Sequence, residues 1–119
     1  YVKNPYFPLK KIKIQINTDI MGTGDDGIMM VNAKTHPKIY DRFKKINDNK
    51  NYVKKIGARG KSYNSDHAPF DYKGVNSIFI YTMGGSTAYH DIYDTSENLT
   101  LSKYEEIFKL ITDFIVEYK

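Results

Sequence analysis

IFIY at residues 78–81 is an unbroken apolar run in the second half of the sequence. A short continuous run of this kind is typical of a strand that is buried on both faces. A glycine pair follows it, and Gly84, Gly85 and the next residues open a polar loop. Because α/β proteins place much of their chemistry in loops that follow buried strands, we expect this loop to carry functional residues.

The loop contains a histidine between aromatic and acidic residues, in the stretch YHDIYDT at residues 89–95. Such a histidine can bind a metal through one ring nitrogen while a carboxylate holds the other. An isolated histidine is nevertheless more often a surface residue or a hydrogen-bonded structural residue. The loop by itself therefore leaves both interpretations open.

Apolar periodicity predicts three further strands, at residues 12–16, 28–31 and 52–56. A helix is predicted to have Pro37 in its first turn and an apolar face that extends to the polar run at residues 47–49. That face consists of Ile39, Phe43 and Ile46. The alternation of strands and helices indicates the α/β class.

A second helix is predicted near the end of the chain, with Ser102 and Glu105 as a capping box. Its apolar residues recur at helical spacing, so we expect the whole stripe to pack in the core. The stripe consists of Tyr104, Ile107, Phe108, Ile111, Phe114, Ile115 and Tyr118. Two long helices are few for covering both faces of a sheet, which suggests that part of the domain is missing.

Composition limits the classes of function. The chain has 119 residues, enough for one domain, and no cysteine, which excludes disulfides, thiol catalysis and cysteine-bound zinc. No apolar run is long enough to span a membrane. The net charge of +4 comes mostly from lysines that alternate with apolar residues, as on solvated faces, so we expect no nucleic-acid partner. The sequence begins at Tyr1 without a methionine, and we interpret it as a processed or trimmed product.

Three short motifs occur in order along the chain: NTDIMG at residues 17–22, SDHAPF at 65–70, and YHDIYDT at 89–95. This order resembles the zinc-dependent aminopeptidase family of clan MH, whose members also include glutamate carboxypeptidase, glutaminyl cyclase and the catalytically inactive transferrin receptor. The resemblance implies the C-terminal part of a three-layer α/β sandwich. Its central sheet would be mostly parallel, with helices on both faces, and would be incomplete here.

The resemblance implies that Asp19 and His90 each supply one ligand to one of two zinc ions. Zinc accepts carboxylate oxygen and imidazole nitrogen, and two neighbouring ions can share a reactive water. Further roles are implied for residues near these ligands. Asp66, His67 and Asp94 would hold the ligands or their loops in place, Tyr63 would donate to the tetrahedral intermediate, although its offset from the motif differs, and Gly84, Gly85 and Tyr89 would bind substrate.

Ordinary structural roles remain open for the same residues. Asp19 could simply end a strand, Asp66 could cap a helix followed by a surface His67, and Asp94 could cap a turn. The glycine pair could form a plain turn. His36 is interpreted as a surface residue near a helix start.

The family's remaining site residues precede its first motif: a histidine, an aspartate that bridges the metals, and a Glu-Glu pair that includes the general base. Residues 1–18 contain no His, Asp or Glu. We therefore interpret residues 1–119 as the C-terminal portion of one peptidase domain, with residues 1–9 as an extended lead-in and the N-terminal half absent. With one ligand per metal and no base, the isolated chain is predicted to bind zinc weakly or not at all and to be inactive.

The intact parent is predicted to be a metal-dependent exopeptidase that removes N-terminal residues from peptides with a metal-activated water. Alternatives are a glutaminyl cyclase-like enzyme and a non-catalytic binding domain of the transferrin-receptor type; retention of Asp19 and His90 argues against the latter. Expected partners are the peptide N-terminus, the missing half, and a second copy through an exposed sheet edge. Family resemblance alone suggests a secreted or periplasmic location.

Overall fold

The computed structural model describes residues 1–118 and contains four strands and three α-helices. The strands are β1 (Gln15–Thr18), β2 (Gly27–Val31), β3 (Ile56–Ala58) and β4 (Ser77–Met83), and the α-helices are α1 (Pro37–Lys50), α2 (Ala68–Tyr72) and α3 (Tyr104–Glu117). Short 3₁₀ helices lie at Leu9–Lys11, Ala33–Thr35 and Ser96–Asn98. Within residues 1–118, no helix is both long enough and apolar enough to cross a membrane.

The strands form one mixed sheet in the order β1-β4-β2-β3. β1 is parallel to β4, with Gln15 opposite Ser77, and β2 is parallel to β3. β2 and β4 are antiparallel. Two of the three pairings are therefore parallel, and the apolar run at residues 78–81 lies inside β4, in the interior of the sheet, as predicted.

Helices cover both faces of the sheet, which confirms the α/β class. On one face α1 and α3 pack against each other, and their Phe43 and Phe114 rings stack with centroids 4.1 Å apart. Ile78 and Ile80 of β4 point into this core. On the other face, the segment around α2 covers the sheet, where the His67 ring stacks on Phe79 at 5.6 Å.

The predicted bounds of α1 are confirmed at its start, where Pro37 occupies the first turn. Its predicted face, Ile39, Phe43 and Ile46, is buried. The helix ends at Lys50, and Asn51 closes it in the left-handed conformation with φ 53°. Asparagine tolerates this conformation better than most residues, so the helix continues through the predicted end at residues 47–49 and stops at Asn51.

The predicted capping box of α3 is wrong. The residue before the helix is Lys103, with φ 66°, and no side chain caps the first turn. The Ser102 hydroxyl instead donates to the Asp25 carboxylate at 2.8 Å. The Ser102 side chain is therefore oriented toward a distant carboxylate and not toward the backbone N–H that it would accept in a capping box.

The apolar stripe of α3 is only partly core, contrary to expectation. Ile107, Leu110 and Phe114 are buried, and Ile111 and Tyr118 are partly buried against the core. More than half of the surface of three predicted core residues is exposed: Tyr104, Phe108 and Ile115. Because the helix contacts the sheet and α1 on one side only, a stripe this wide extends beyond the contact.

The predicted strand at residues 52–56 is displaced toward the C-terminus, and β3 begins only at Ile56. The Asn47 side chain accepts the N–H of Val53 and donates to its carbonyl, both at 2.9 Å. These bonds tie Val53 to the end of α1 and prevent it from pairing in the sheet. Residues 1–9 also differ from a uniformly extended lead-in, because the Asn4 N–H donates to the Tyr1 carbonyl in a turn.

Candidate functional site

The candidate site lies where β1 and β4 end. Because these strands are parallel, the loops that follow them leave the sheet at the same edge. Two hydrogen bonds from Thr82 hold the loops together: its N–H and its hydroxyl donate to the Ile20 carbonyl at 3.1 and 2.8 Å. The Asp26 N–H donates to the Met83 carbonyl at 2.9 Å. The start of each loop is therefore fixed to the sheet.

A cavity of about 400 Å³ opens between these loops. Its wall combines apolar, aromatic and charged groups, among them Arg59, Asn64, Phe79, Tyr81, Tyr89 and Asp94. The size and mixture suit a small polar ligand with an apolar part. Of the predicted site residues, this cavity brings together Gly84, Tyr89 and Asp94.

Asp19 and His90 are both exposed, and each is the sequence neighbour of a residue that lines the cavity. Asp19 directly precedes Ile20, and His90 directly follows Tyr89, and both of these neighbours line the cavity. Asp19 Oδ1 accepts the Ile20 N–H at 2.8 Å. The His90 ring packs on Tyr89 with centroids 4.0 Å apart.

The described residues do not form a complete metal site. Within residues 1–118, no group of three or more His, Asp or Glu side chains is placed to hold one metal ion. A stable zinc site takes at least three protein ligands. Asp19 and His90 are therefore candidates for single ligands, and their role in metal binding stays a prediction.

The glycine pair after β4 adopts a conformation that favours glycine, with φ 82° at Gly84 and 84° at Gly85. A Cβ at Gly85 would lie 2.3 Å from Asp25 Oδ2, and one at Gly84 would lie 2.8 Å from the Asp26 nitrogen. Both positions therefore allow the loop at residues 25–26 to approach closely. Their role in binding substrate stays a prediction.

His67 is fully buried, so its interpretation as a surface residue is wrong. Its Nε2 lies 2.7 Å from the Ser62 carbonyl, which requires Nε2 to carry the proton and donate it. This bond and the stacking on Phe79 hold the loop at residues 61–66 against β4. Asp66 is exposed at the end of that loop.

Tyr63 stacks on Tyr72 with centroids 4.3 Å apart, and Lys61 Nζ lies 5.4 Å from the Tyr63 ring centroid. Tyr63 is not among the residues that line the cavity. Lys61 also pairs with Asp71 at 2.9 Å. Hydrogen bonds with Tyr63 and Asp71 raise the pKa of Lys61, so its charge is already compensated. The role of Tyr63 as a donor to the tetrahedral intermediate stays a prediction.

His36 lies at the start of α1, as predicted, but is partly buried. Burial lowers its pKa, while the nearby Asp71 carboxylate, 3.9 Å away, acts in the opposite direction. The neutral form is therefore favoured. His36 is not among the residues that line the cavity.

Asn32 is a structural residue that the sequence did not reveal. It is fully buried and adopts φ 64°, directly after β2. Its side chain accepts the Ser62 N–H at 3.0 Å and donates to the Ser77 carbonyl at 3.3 Å. An asparagine directly after a predicted strand is the only local signal, because this residue type tolerates the left-handed conformation.

The first two motifs of the sequence are in direct contact. Asn17 Nδ2 donates to the Ser65 hydroxyl at 2.7 Å, across 48 residues of chain. This bond lies on the same face of the sheet as Phe79, which is the register partner of Asn17. The hydrogen bond therefore connects the two motifs on this face of the sheet.

Comparisons with known proteins identify a family. The family model described as Peptidase family M28 matches residues 1–115, which include all three motifs. Searches of the curated proteins and of the solved structures found no significant match. The match covers nearly the whole sequence, and the α/β sheet and the order of motifs agree with it. The chain belongs to peptidase family M28, a family of zinc-dependent metallopeptidases.

Proposed function

We propose that the full-length protein is an aminopeptidase and that this chain forms the C-terminal portion of its peptidase domain. Family membership supports a peptidase. The aminopeptidase proposal is carried by the position of Asp19 and His90, because each directly adjoins in sequence a residue that lines the cavity. A peptide N-terminus held at these residues would place its first side chain in a cavity of limited volume, about 400 Å³.

We further propose that Asp19 and His90 each contribute one ligand to one of two zinc ions. Residues 1–118 contain no third ligand placed to complete either site. The remaining ligands and the general base would come from another part of the full-length protein. That part would also cover the β1 edge and the adjacent groove on α3, where Thr18, Met21 and Phe108 line a space of about 150 Å³.

Zinc binding by the 119-residue chain is expected to be weak. One carboxylate or one imidazole lacks the chelate advantage of a preformed site, so a calorimetric titration with zinc should show no saturable binding at micromolar concentrations. His90→Ala tests the site, and His36→Ala is a matched histidine control outside it. Tight binding that is lost in His90→Ala and kept in His36→Ala would contradict the proposal of single ligands.

An assay of the full-length protein tests the proposed activity. It should hydrolyse an aminoacyl anilide and lose that activity in both Asp19→Ala and His90→Ala, while Asp48→Ala on the exposed side of α1 should stay active. Circular dichroism shows whether each variant is folded. Cyclisation of a glutaminyl peptide without anilide hydrolysis would replace the proposal with a cyclase, and a folded protein with neither activity would favour a binding domain.

A further inference from the structure

Arg59 is held in a fixed position on the wall of the cavity. It directly follows β3, its N–H donates to the Met30 carbonyl at 2.9 Å, and its own carbonyl accepts the Lys34 N–H at 3.1 Å. Its side chain is also oriented, because Nη1 donates to the Tyr81 hydroxyl at 3.2 Å. The backbone and the guanidinium are therefore both anchored.

Arg59 forms no ion pair with a carboxylate among residues 1–118. Lys54, Lys61, Lys103 and Lys109 each pair with an acidic side chain, whereas no ion pair involves Arg59. A guanidinium remains protonated at all physiological pH values and offers five N–H donors in a planar fork. Most of these donors remain free to bind a ligand.

Arg59 is exposed at the rim of the cavity, where apolar groups lie beside it. Apolar and aromatic side chains, including Ile20, Phe79 and Leu99, line the cavity beside Arg59. Because the guanidinium is exposed, water partly screens its attraction for an anion. An arginine and a carboxylate can also form two parallel hydrogen bonds, which adds geometric selectivity.

The cavity lies in the right place to hold the first residue of a substrate. Ile20 and Tyr89 belong to its wall and adjoin Asp19 and His90 in sequence. If the amino end of a substrate is bound beside these two residues, its first side chain can occupy the cavity that Arg59 lines. A volume of about 400 Å³ accommodates a side chain of four or five heavy atoms.

We propose that this cavity is a specificity pocket in which Arg59, oriented by Tyr81, selects substrates whose N-terminal residue carries a side-chain carboxylate, namely glutamate or aspartate. This proposal rests on the proposed aminopeptidase function. Arg59 is a specificity-determining residue, and Tyr81 is a positioning residue that acts through it.

Asp94 is the other charged side chain on the wall, and it would favour a basic substrate side chain instead. Arg59 is the better anchor of the two. Asp94 belongs to an exposed loop, residues 86–101, whose hydrogen bonds at this point are local, such as that from the Asp94 N–H to the Asp91 carbonyl. Arg59 is instead held by β2 and β4, and a preorganised group loses less entropy on binding.

The test compares kcat/KM of the full-length protein on glutamyl, glutaminyl, leucyl and lysyl anilides. We expect kcat/KM for the glutamyl substrate to be about tenfold or more above that for its glutaminyl isostere, because the neutral amide cannot form charge-assisted hydrogen bonds. Arg59→Gln should abolish that preference, because a neutral amide side chain cannot form charge-assisted hydrogen bonds with a substrate carboxylate. Arg59→Lys should retain part of the preference, and Tyr81→Phe should raise KM for the glutamyl substrate with little change in kcat.

Two outcomes separate this proposal from the proposed function. Active enzyme with no glutamyl preference, or with a lysyl preference, would overturn the role of Arg59 and leave the aminopeptidase proposal standing. Absence of hydrolysis on every substrate would overturn the aminopeptidase proposal. Calorimetry with glutamic acid amide and glutamine amide then tests the role of Arg59 in the pocket. Binding of glutamic acid amide alone, lost in Arg59→Gln, supports that role. Equal binding of both amides, or no binding of either, overturns it.

Discussion

Replacing Phe114 with alanine is expected to lower the free energy of unfolding by about 3–5 kcal/mol, the usual loss for a buried phenylalanine. Phe114 is fully buried and stacks on Phe43 with ring centroids 4.1 Å apart. This pair joins α3 to α1 above the sheet. Removing the ring leaves a cavity at that junction, and the surrounding side chains can close it only in part.

Phe108→Ala is the matched control, because Phe108 lies on the same helix and is 62% exposed. Phe108→Ala is expected to lower the free energy of unfolding by less than about 1 kcal/mol, as most surface substitutions do. Urea unfolding of the 119-residue chain, in which Phe108 is exposed, measures both variants by circular dichroism at one protein concentration. Equal losses in Phe108→Ala and Phe114→Ala would contradict the one-sided packing of α3.

Gly27→Ala is expected to have a similarly large effect on stability, a loss of about 3 kcal/mol or more. Gly27 has φ 102°, where an alanine is strained, and an added Cβ would lie 2.1 Å from the Lys55 carbonyl oxygen. That oxygen accepts the Ile28 N–H at 2.9 Å. Relief of the clash must therefore separate the starts of β2 and β3.

Gly74→Ala separates the two causes. Gly74 also has a positive φ, 79°, but an added Cβ there would meet no atom within 4 Å. Only the backbone strain remains, so a loss of about 1–2 kcal/mol is expected. Thermal and urea unfolding of both variants would show the difference. A loss in Gly27→Ala no larger than in Gly74→Ala would mean that β3 moves away from β2 easily.

Local pattern was sufficient to predict β2, β4 and α1, whereas β1 lies at Gln15–Thr18 and only overlaps the strand predicted at residues 12–16. The continuous apolar run of β4 is buried only as a central strand, and the spacing of Ile39, Phe43 and Ile46 places them on one buried face only in a helix. The displaced start of β3 could not be predicted, because it depends on the side chain of Asn47 bonding to Val53. The cap of α3 failed for the same reason, since the partner of Ser102 lies 77 residues away.

Some residues of the candidate site could likewise be predicted from the sequence, and others could not. Asp19, His90 and Asp94 belong to sequence motifs, so the resemblance to the peptidase family could identify them. Arg59 belongs to no motif, and its place in the cavity depends on the pairing of three strands that brings it to Tyr81, 22 residues along the chain. The sequence contains this information only through the fold.

The position of β1 has a consequence for how the molecule assembles. Within the described sheet β1 pairs with β4 alone, and its partners, such as Ile16 and Ile78, are separated by more than half of the chain. Closing so long a loop costs conformational entropy before any contact forms, whereas β2, α1 and β3 follow one another directly. β1 is therefore expected to dock late in folding and to open first in native fluctuations. Since Asp19 directly follows β1, such opening displaces this carboxylate while the rest of the core stays folded.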